Sequence, residues 1–161
     1  MSEHSGKVNF VVGSETFQGW YTIIGDLKSR VRPLVVFHGG PGFPHYYLRC
    51  HSRLWAVNRI PVILYDQIGC GRSTHLQGKP KEFWTVQLFI AELDDLLINL
   101  GIHEDFDLLG HSWGGVLAAS YMLERQPKGL RHLALVSAYP SMKLWPEAWC
   151  RALIAKLPII F

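Results

Sequence analysis

The stretch Phe106-Asp107-Leu108-Leu109-Gly110-His111-Ser112-Trp113-Gly114-Gly115-Val116 joins a short apolar run to an amphipathic stretch, 116–124, with G-x-S-x-G between them. Strand, tight turn and helix follow one another in that order. In so tight a turn the residues flanking the serine must lack bulky side chains, and the serine is forced into a strained backbone that lifts its hydroxyl above the sheet. Ser112 is therefore the candidate nucleophile. Acyl transfer at such a serine also needs a histidine base and a carboxylate, which in this motif's fold come later in the chain.

Working outward, three further apolar runs at 34–37, 62–65 and 133–136 resemble 106–109, as suits strands buried on both faces. Residues 46–57 read as a helix ending before Arg59-Ile60-Pro61. Thr85 caps another, in which Leu88, Phe89, Leu93, Leu96, Leu97 and Leu100 share a face and Gly101 is the stop. The helix after Ser112 is expected over 116–125, closed by Gln126-Pro127. This alternation predicts an α/β fold of right-handed βαβ units: a mostly parallel sheet with helices on both faces and functional loops at the strands' carboxyl ends. Near the N-terminus, 8–12 and 16–24 read as an antiparallel hairpin about Gly13-Ser14.

With 161 residues, 48% of them hydrophobic and 18% charged, the chain reads as one globular domain able to bury a sizeable core. Its 16 Lys and Arg are scattered and the net charge is only +3, which argues against nucleic acid or an anionic membrane as partner. The first nine residues are polar, and no stretch approaches the roughly 18 uninterrupted apolar residues of a spanning helix. A cytoplasmic location is the expectation. Cys50, Cys70 and Cys150 are odd in number and lack C-x-x-C spacing, against a disulfide framework or zinc site. No metal or cofactor is expected.

Two more constellations follow apolar runs. His38-Gly39-Gly40-Pro41-Gly42 gives a loop whose amides can point outward, as stabilising an oxyanion requires. The expected donors are the amides of Gly40 and Trp113. An abrupt reversal here suits a cis bond before Pro41. Tyr65-Asp66-Gln67-Ile68-Gly69-Cys70-Gly71-Arg72-Ser73 contains neither G-x-x-x-x-G-K-[ST] nor G-x-G-x-x-G, against nucleotide binding. Asp66 and Arg72 are expected to hold this loop through a charge-assisted hydrogen bond.

On these residues the chain resembles the α/β-hydrolase superfamily, and within it the proline iminopeptidase family of serine peptidases with its related amino-acid amidases. H-G-G-P-G at 38–42, D-Q-x-G-x-G-R-S at 66–73 and G-x-S-W-G-G at 110–115 stand in the family's order and approximate spacing. Ile68 departs from it, since many members carry arginine there. D-Q-x-G-C-G-R-S-T-H-L looks closer to the amidase and tricorn-associated branches. The resemblance implies an α/β-hydrolase fold, with 1–161 the N-terminal portion of one domain: about 1–140 core, and 141–161 the start of a helical cap at Ser141-Met142-x-Leu144-Trp145. It further implies an acyl-enzyme on Ser112, an oxyanion hole from Gly40 and Trp113, loops shaped by His38, Gly39, Pro41 and Gly42, and a small peptide or amino-acid amide as substrate. In such enzymes an acidic cap residue recognises the substrate's amino group; Glu147 is the sole acid in 141–161.

The family's carboxylate and histidine lie after later strands, and the 49 residues after Ser112 are expected to stop short of them. His132 is the lone histidine in that stretch, at the start of the last strand and so on the order of 15 Å from the elbow. His111 is expected to pack or bond locally, and His38 to brace the oxyanion loop rather than act as surrogate base. His4, His45, His51, His75 and His103 fall in expected loops or helix ends with no acidic partner at telling spacing. Without a base Ser112 stays a weak nucleophile. The chain thus reads as the N-terminal half of a hydrolase, inactive alone, with an uncovered sheet edge at 133–136. Two other readings stay open: an esterase or other α/β-hydrolase on the same elbow, and a non-catalytic remnant or partner-dependent fragment.

Overall fold

Alternation along the central strands sets the layers. In the computed structural model, which describes residues 2–138, the elements run β1 (Glu3–Val12), β2 (Glu15–Ile24), β3 (Leu34–Phe37), α1 (Arg53–Asn58), β4 (Val62–Asp66), α2 (Val86–Asn99), β5 (Phe106–His111), α3 (Trp113–Arg125) and β6 (Leu130–Val136), with short 3₁₀ segments between. Val35 and Phe37 of β3 join Ile63 and Tyr65 of β4 in one apolar cluster, while Val36, Val62 and Leu64 join another. Successive side chains of a strand point to opposite faces, so each face needs its own cover. Leu88, Leu93 and Leu97 of α2 and Leu117 of α3 cover the first. Leu48, Leu54 and Trp55 cover the second.

The sheet order is β1-β2-β4-β3-β5-β6. β2 pairs antiparallel with both β1 and β4, and the remaining pairings are parallel. The expected α/β architecture, an N-terminal hairpin leading into a mostly parallel sheet with helices on both faces, is present. Because β3 to β6 run in parallel, the loops after them gather at one end.

Element boundaries differ where tertiary contacts outweigh local pattern. The segment expected as a helix over 46–57 is 3₁₀ from His45–Ser52 and α-helical only over Arg53–Asn58. Its inward residues explain this: His45 and Leu48 are buried and His51 half-buried, a spacing of three that matches 3.0 residues per turn. α3 begins at Trp113 rather than Val116, because the Ser112 carbonyl already accepts from the amides of Gly115 (2.9 Å) and Val116 (3.3 Å). α2 starts and stops where its signals stand: the Thr85 hydroxyl accepts from the Leu88 amide at 3.2 Å, and Gly101 has φ 68° just beyond the helix. No helix among the described residues is long and apolar enough to cross a membrane. The cap entry expected over 141–161, with Glu147, lies outside the described residues.

Candidate active site

Ser112 sits between β5 and α3 with φ 55° and ψ −118°, a conformation an L-residue rarely adopts. Its amide donates to the Val136 carbonyl at 2.9 Å, tying the turn to the end of β6. The turn closes only because its neighbours are bare. A methyl on Gly110 would strike the Gly114 carbonyl, and one on Gly114 would come within 2.5 Å of the Phe37 carbonyl and 2.7 Å of that of His38. The Ser112 hydroxyl makes no hydrogen bond among the described residues, and α3 starts directly behind it with its unpaired amides.

The loop after β3 lies against this turn. A methyl built on Gly39 would stand 3.1 Å from Ser112 Cβ and 3.2 Å from His111 Nδ1. Gly40 has φ 121°, and the Gly40–Pro41 bond is cis. Two successive peptide groups here are held, save for one donor. The His38 carbonyl accepts from Gln67 Nε2 (3.3 Å) and the Gly39 amide donates to the Tyr47 hydroxyl (2.7 Å). The Gly39 carbonyl accepts from His38 Nδ1 (3.0 Å) and the Phe43 amide (3.3 Å). A peptide group is planar and trans, so fixing the Gly39 carbonyl also fixes the opposed Gly40 N–H. Neither that amide nor the Trp113 amide has an acceptor among the described residues.

His38 is fully buried and its bonds define its state. The Gln67 amide donates to Nε2 at 3.0 Å, so Nδ1 carries the proton that reaches the Gly39 carbonyl. Burial lowers its pKa and favours the neutral ring. Both nitrogens are engaged in bracing the loop. Gln67, which sequence reasoning passed over, joins three parts of the site: its amide and Nε2 hold His38, and its Oε1 accepts from Trp113 Nε1 at 2.9 Å. It stood inside a quoted motif, and only its side-chain reach was hidden.

Asp66 and Arg72 are joined by a charge-assisted hydrogen bond, made through the main chain of Arg72. The Asp66 carboxylate accepts from the Arg72 amide (2.9 Å), while the guanidinium lies over the Trp20 ring, 4.8 Å from the centroid. The buried partner of Asp66 is His45, through its amide (2.9 Å) and Nδ1 (2.8 Å). His45 thus has an acidic partner, 21 residues away, that sequence spacing did not reveal. His4, expected in a loop or helix end, lies in β1. His132 stands near the start of β6, bonded to Asp107 at 2.9 Å, whereas Val136 is the residue level with His111. Among the described residues no histidine nitrogen is hydrogen-bonded to the Ser112 hydroxyl, and no three His, Cys, Asp or Glu side chains converge to hold a metal ion.

Beside the oxyanion loop opens a cleft of about 410 Å³, walled by Pro41, Gly42, Ile68, Trp84, Phe89 and Trp113. Among the described residues, none that lines it is charged. Its Cys70 thiol is pushed up to about 12 by burial and stays protonated. Beneath it the buried Glu92 accepts from the Ile68 amide at 2.8 Å, and desolvation pushes this carboxyl up to about 8.

Residues 32–156 match the family described as alpha/beta hydrolase fold. The chain is 38% identical over 143 residues to a proline iminopeptidase of Lactiplantibacillus plantarum, covering 89% of this chain and 49% of that protein. With a proline iminopeptidase of Clostridioides difficile identity is 42% over 131 residues, covering 81% and 43%. The crystal structure of proline iminopeptidase from Mycobacterium smegmatis superposes with a TM-score of 0.79 at 41% identity, over 96% of this chain and 50% of that one. The chain spans about half the length of the curated relatives it matches. Sheet order, elbow and family match agree that this chain belongs to the α/β-hydrolase fold family.

Proposed function

We propose that the whole protein is a serine hydrolase of the proline iminopeptidase type, releasing N-terminal residues from small peptides or hydrolysing amino-acid amides. The observation that carries this reading is the unengaged Ser112 hydroxyl on its positive-φ backbone, set against Gly39 with the Gly40 and Trp113 amides unbonded. Ser112 Oγ attacks the carbonyl carbon while its proton passes to a base, and the two amides stabilise the charge that builds on the carbonyl oxygen. Collapse breaks the C–N bond, the amine leaves with that proton, and water hydrolyses the acyl-enzyme to restore Ser112. His38, Gly39, Pro41, Gly42, Asp66 and Arg72 shape the loops without touching the reacting atoms. The similarity to proteins named proline iminopeptidase supports a small-peptide substrate. A base and its carboxylate are required beyond the described residues. Residues 1–161 by themselves are expected to run at least about 10³-fold below the complete catalyst.

The test is fluorophosphonate labelling of the complete gene product, together with hydrolysis of aminoacyl naphthylamides. Stoichiometric labelling that disappears in Ser112→Ala is expected, with free-amino substrates cleaved at least about tenfold faster than N-acetylated ones. A folded sample that takes no label would overturn the hydrolase reading. Equal turnover of N-acetylated substrates and simple esters would replace the aminopeptidase assignment with a general esterase.

A further inference from the structure

We propose that Tyr47 is a positioning residue for the oxyanion loop, docking it on the elbow through a directed hydrogen-bond chain from the Gly39 amide, through the phenol, to His111. The role rests on the Ser112 reading above. Tyr47 belongs to none of the three motifs. It lies in the 3₁₀ segment His45–Ser52, with its hydroxyl 2.7 Å from the Gly39 nitrogen and 2.9 Å from His111 Nδ1. The two rings meet edge to face at 5.3 Å, which sets the approach of phenol to imidazole.

A backbone amide only donates, so the phenol oxygen accepts from Gly39. With that oxygen already an acceptor, we assign its own proton to His111 Nδ1, a contact whose direction is set by the histidine's tautomer. His111 then carries its proton on Nε2. Partial burial raises the Tyr47 pKa, so the donor is not lost near neutrality. Consequence for the site follows from the peptide planes: Tyr47 and Gln67 hold the two ends of the His38–Gly39 peptide, and His38 and the Phe43 amide hold the carbonyl of the next. The Gly40 N–H is the single polar group left over, aimed by the others. Since Gly39 stands only a methyl's width from Ser112 Cβ, a loop released at Tyr47 shifts the donor relative to the nucleophile. His111, next to Ser112 in the chain, is in this account an acceptor for the phenol and not a base.

The experiment uses the complete gene product, in wild-type form and as Tyr47→Phe, His111→Phe and the double variant. Fluorophosphonate inactivation is resolved into apparent affinity and maximal rate, and ¹⁵N NMR reads the His111 tautomer and the exchange of the Gly39 amide. Wild type should show His111 protonated on Nε2. Tyr47→Phe should speed Gly39 exchange and lower the maximal labelling rate about tenfold, with affinity within about twofold, as expected when an oxyanion donor is displaced rather than removed. The double variant should be no slower than Tyr47→Phe, because residues acting in series do not add. A wild-type His111 protonated on Nδ1, a Tyr47→Phe variant labelled at the wild-type maximal rate, or losses that multiply would each overturn the proposal. The tautomer is read on the wild-type protein, so it decides the chain's direction even if a variant fails to fold. A folded wild type that takes no label removes the Ser112 reading and this role together; a labelled wild type with an equally reactive Tyr47→Phe removes this role alone.

Discussion

At Ser112 a side chain occupies φ 55° and ψ −118°, a backbone region that disfavours any residue with a Cβ. Removing the hydroxyl leaves that cost in place, and removing the Cβ relieves it. Ser112→Ala should therefore keep near wild-type stability while losing all covalent labelling, whereas Ser112→Gly should be more stable than Ser112→Ala by about 1 kcal/mol. Thermal unfolding of the two variants checks this, and an alanine variant as stable as the glycine one would show that the turn stores no strain. This position was legible in the sequence because G-x-S-x-G demands small neighbours. Tyr47 and His45 were not, because their partners lie 8 and 21 residues away and depend on how two loops meet.

Among the elements, α2 reaches the site through one buried acid. Glu92 faces the cluster between β1, β2 and β4, its Oε1 taking the Ile68 amide while Oε2 and the nearby Tyr65 hydroxyl lack partners among the described residues. Desolvation raises its pKa from 4.5 to about 8. Over that window the folded state keeps the proton that the unfolded chain releases, so stability falls as pH rises and levels off above it. Glu92→Gln keeps the hydrogen bond to Ile68 and removes the titration. Relative to that variant, wild type should lose up to about 1.4 kcal/mol per pH unit between roughly 4.5 and 8, read by urea denaturation across pH. Parallel curves for the two proteins would place an ionised Glu92 in the fold. The helix was readable from its cap and apolar stripe, but a buried glutamate on that stripe looks polar in sequence. Only packing shows that it faces inward.

Across the molecule the parallel run of β3 to β6 separates the end that carries Ser112 from the end where β6 begins. His132 and Asp107 pair at the far end, with the histidine ring 44% exposed. His132→Asn should leave the labelling rate of the complete gene product unchanged and cost less than about 1 kcal/mol, as partly exposed pairs do. A loss of labelling in that variant would contradict the separation of the two ends. The sequence by itself determined the family and most of the elements, since apolar runs, caps and glycine-bound turns are local signals, and it pointed to the candidate nucleophile and oxyanion loop; the 3₁₀ turn of His45–Ser52 it read as α-helix. It also placed His132 away from Ser112, because strand direction alone decides that. Only the tertiary structure decided which groups face one another across loops: Asp66 with His45 as well as with the Arg72 amide, Gln67 between His38 and Trp113, Tyr47 between Gly39 and His111. Hydrogen bonds between loops act over about 3 Å and depend on how separate segments pack, which no periodicity along one chain records.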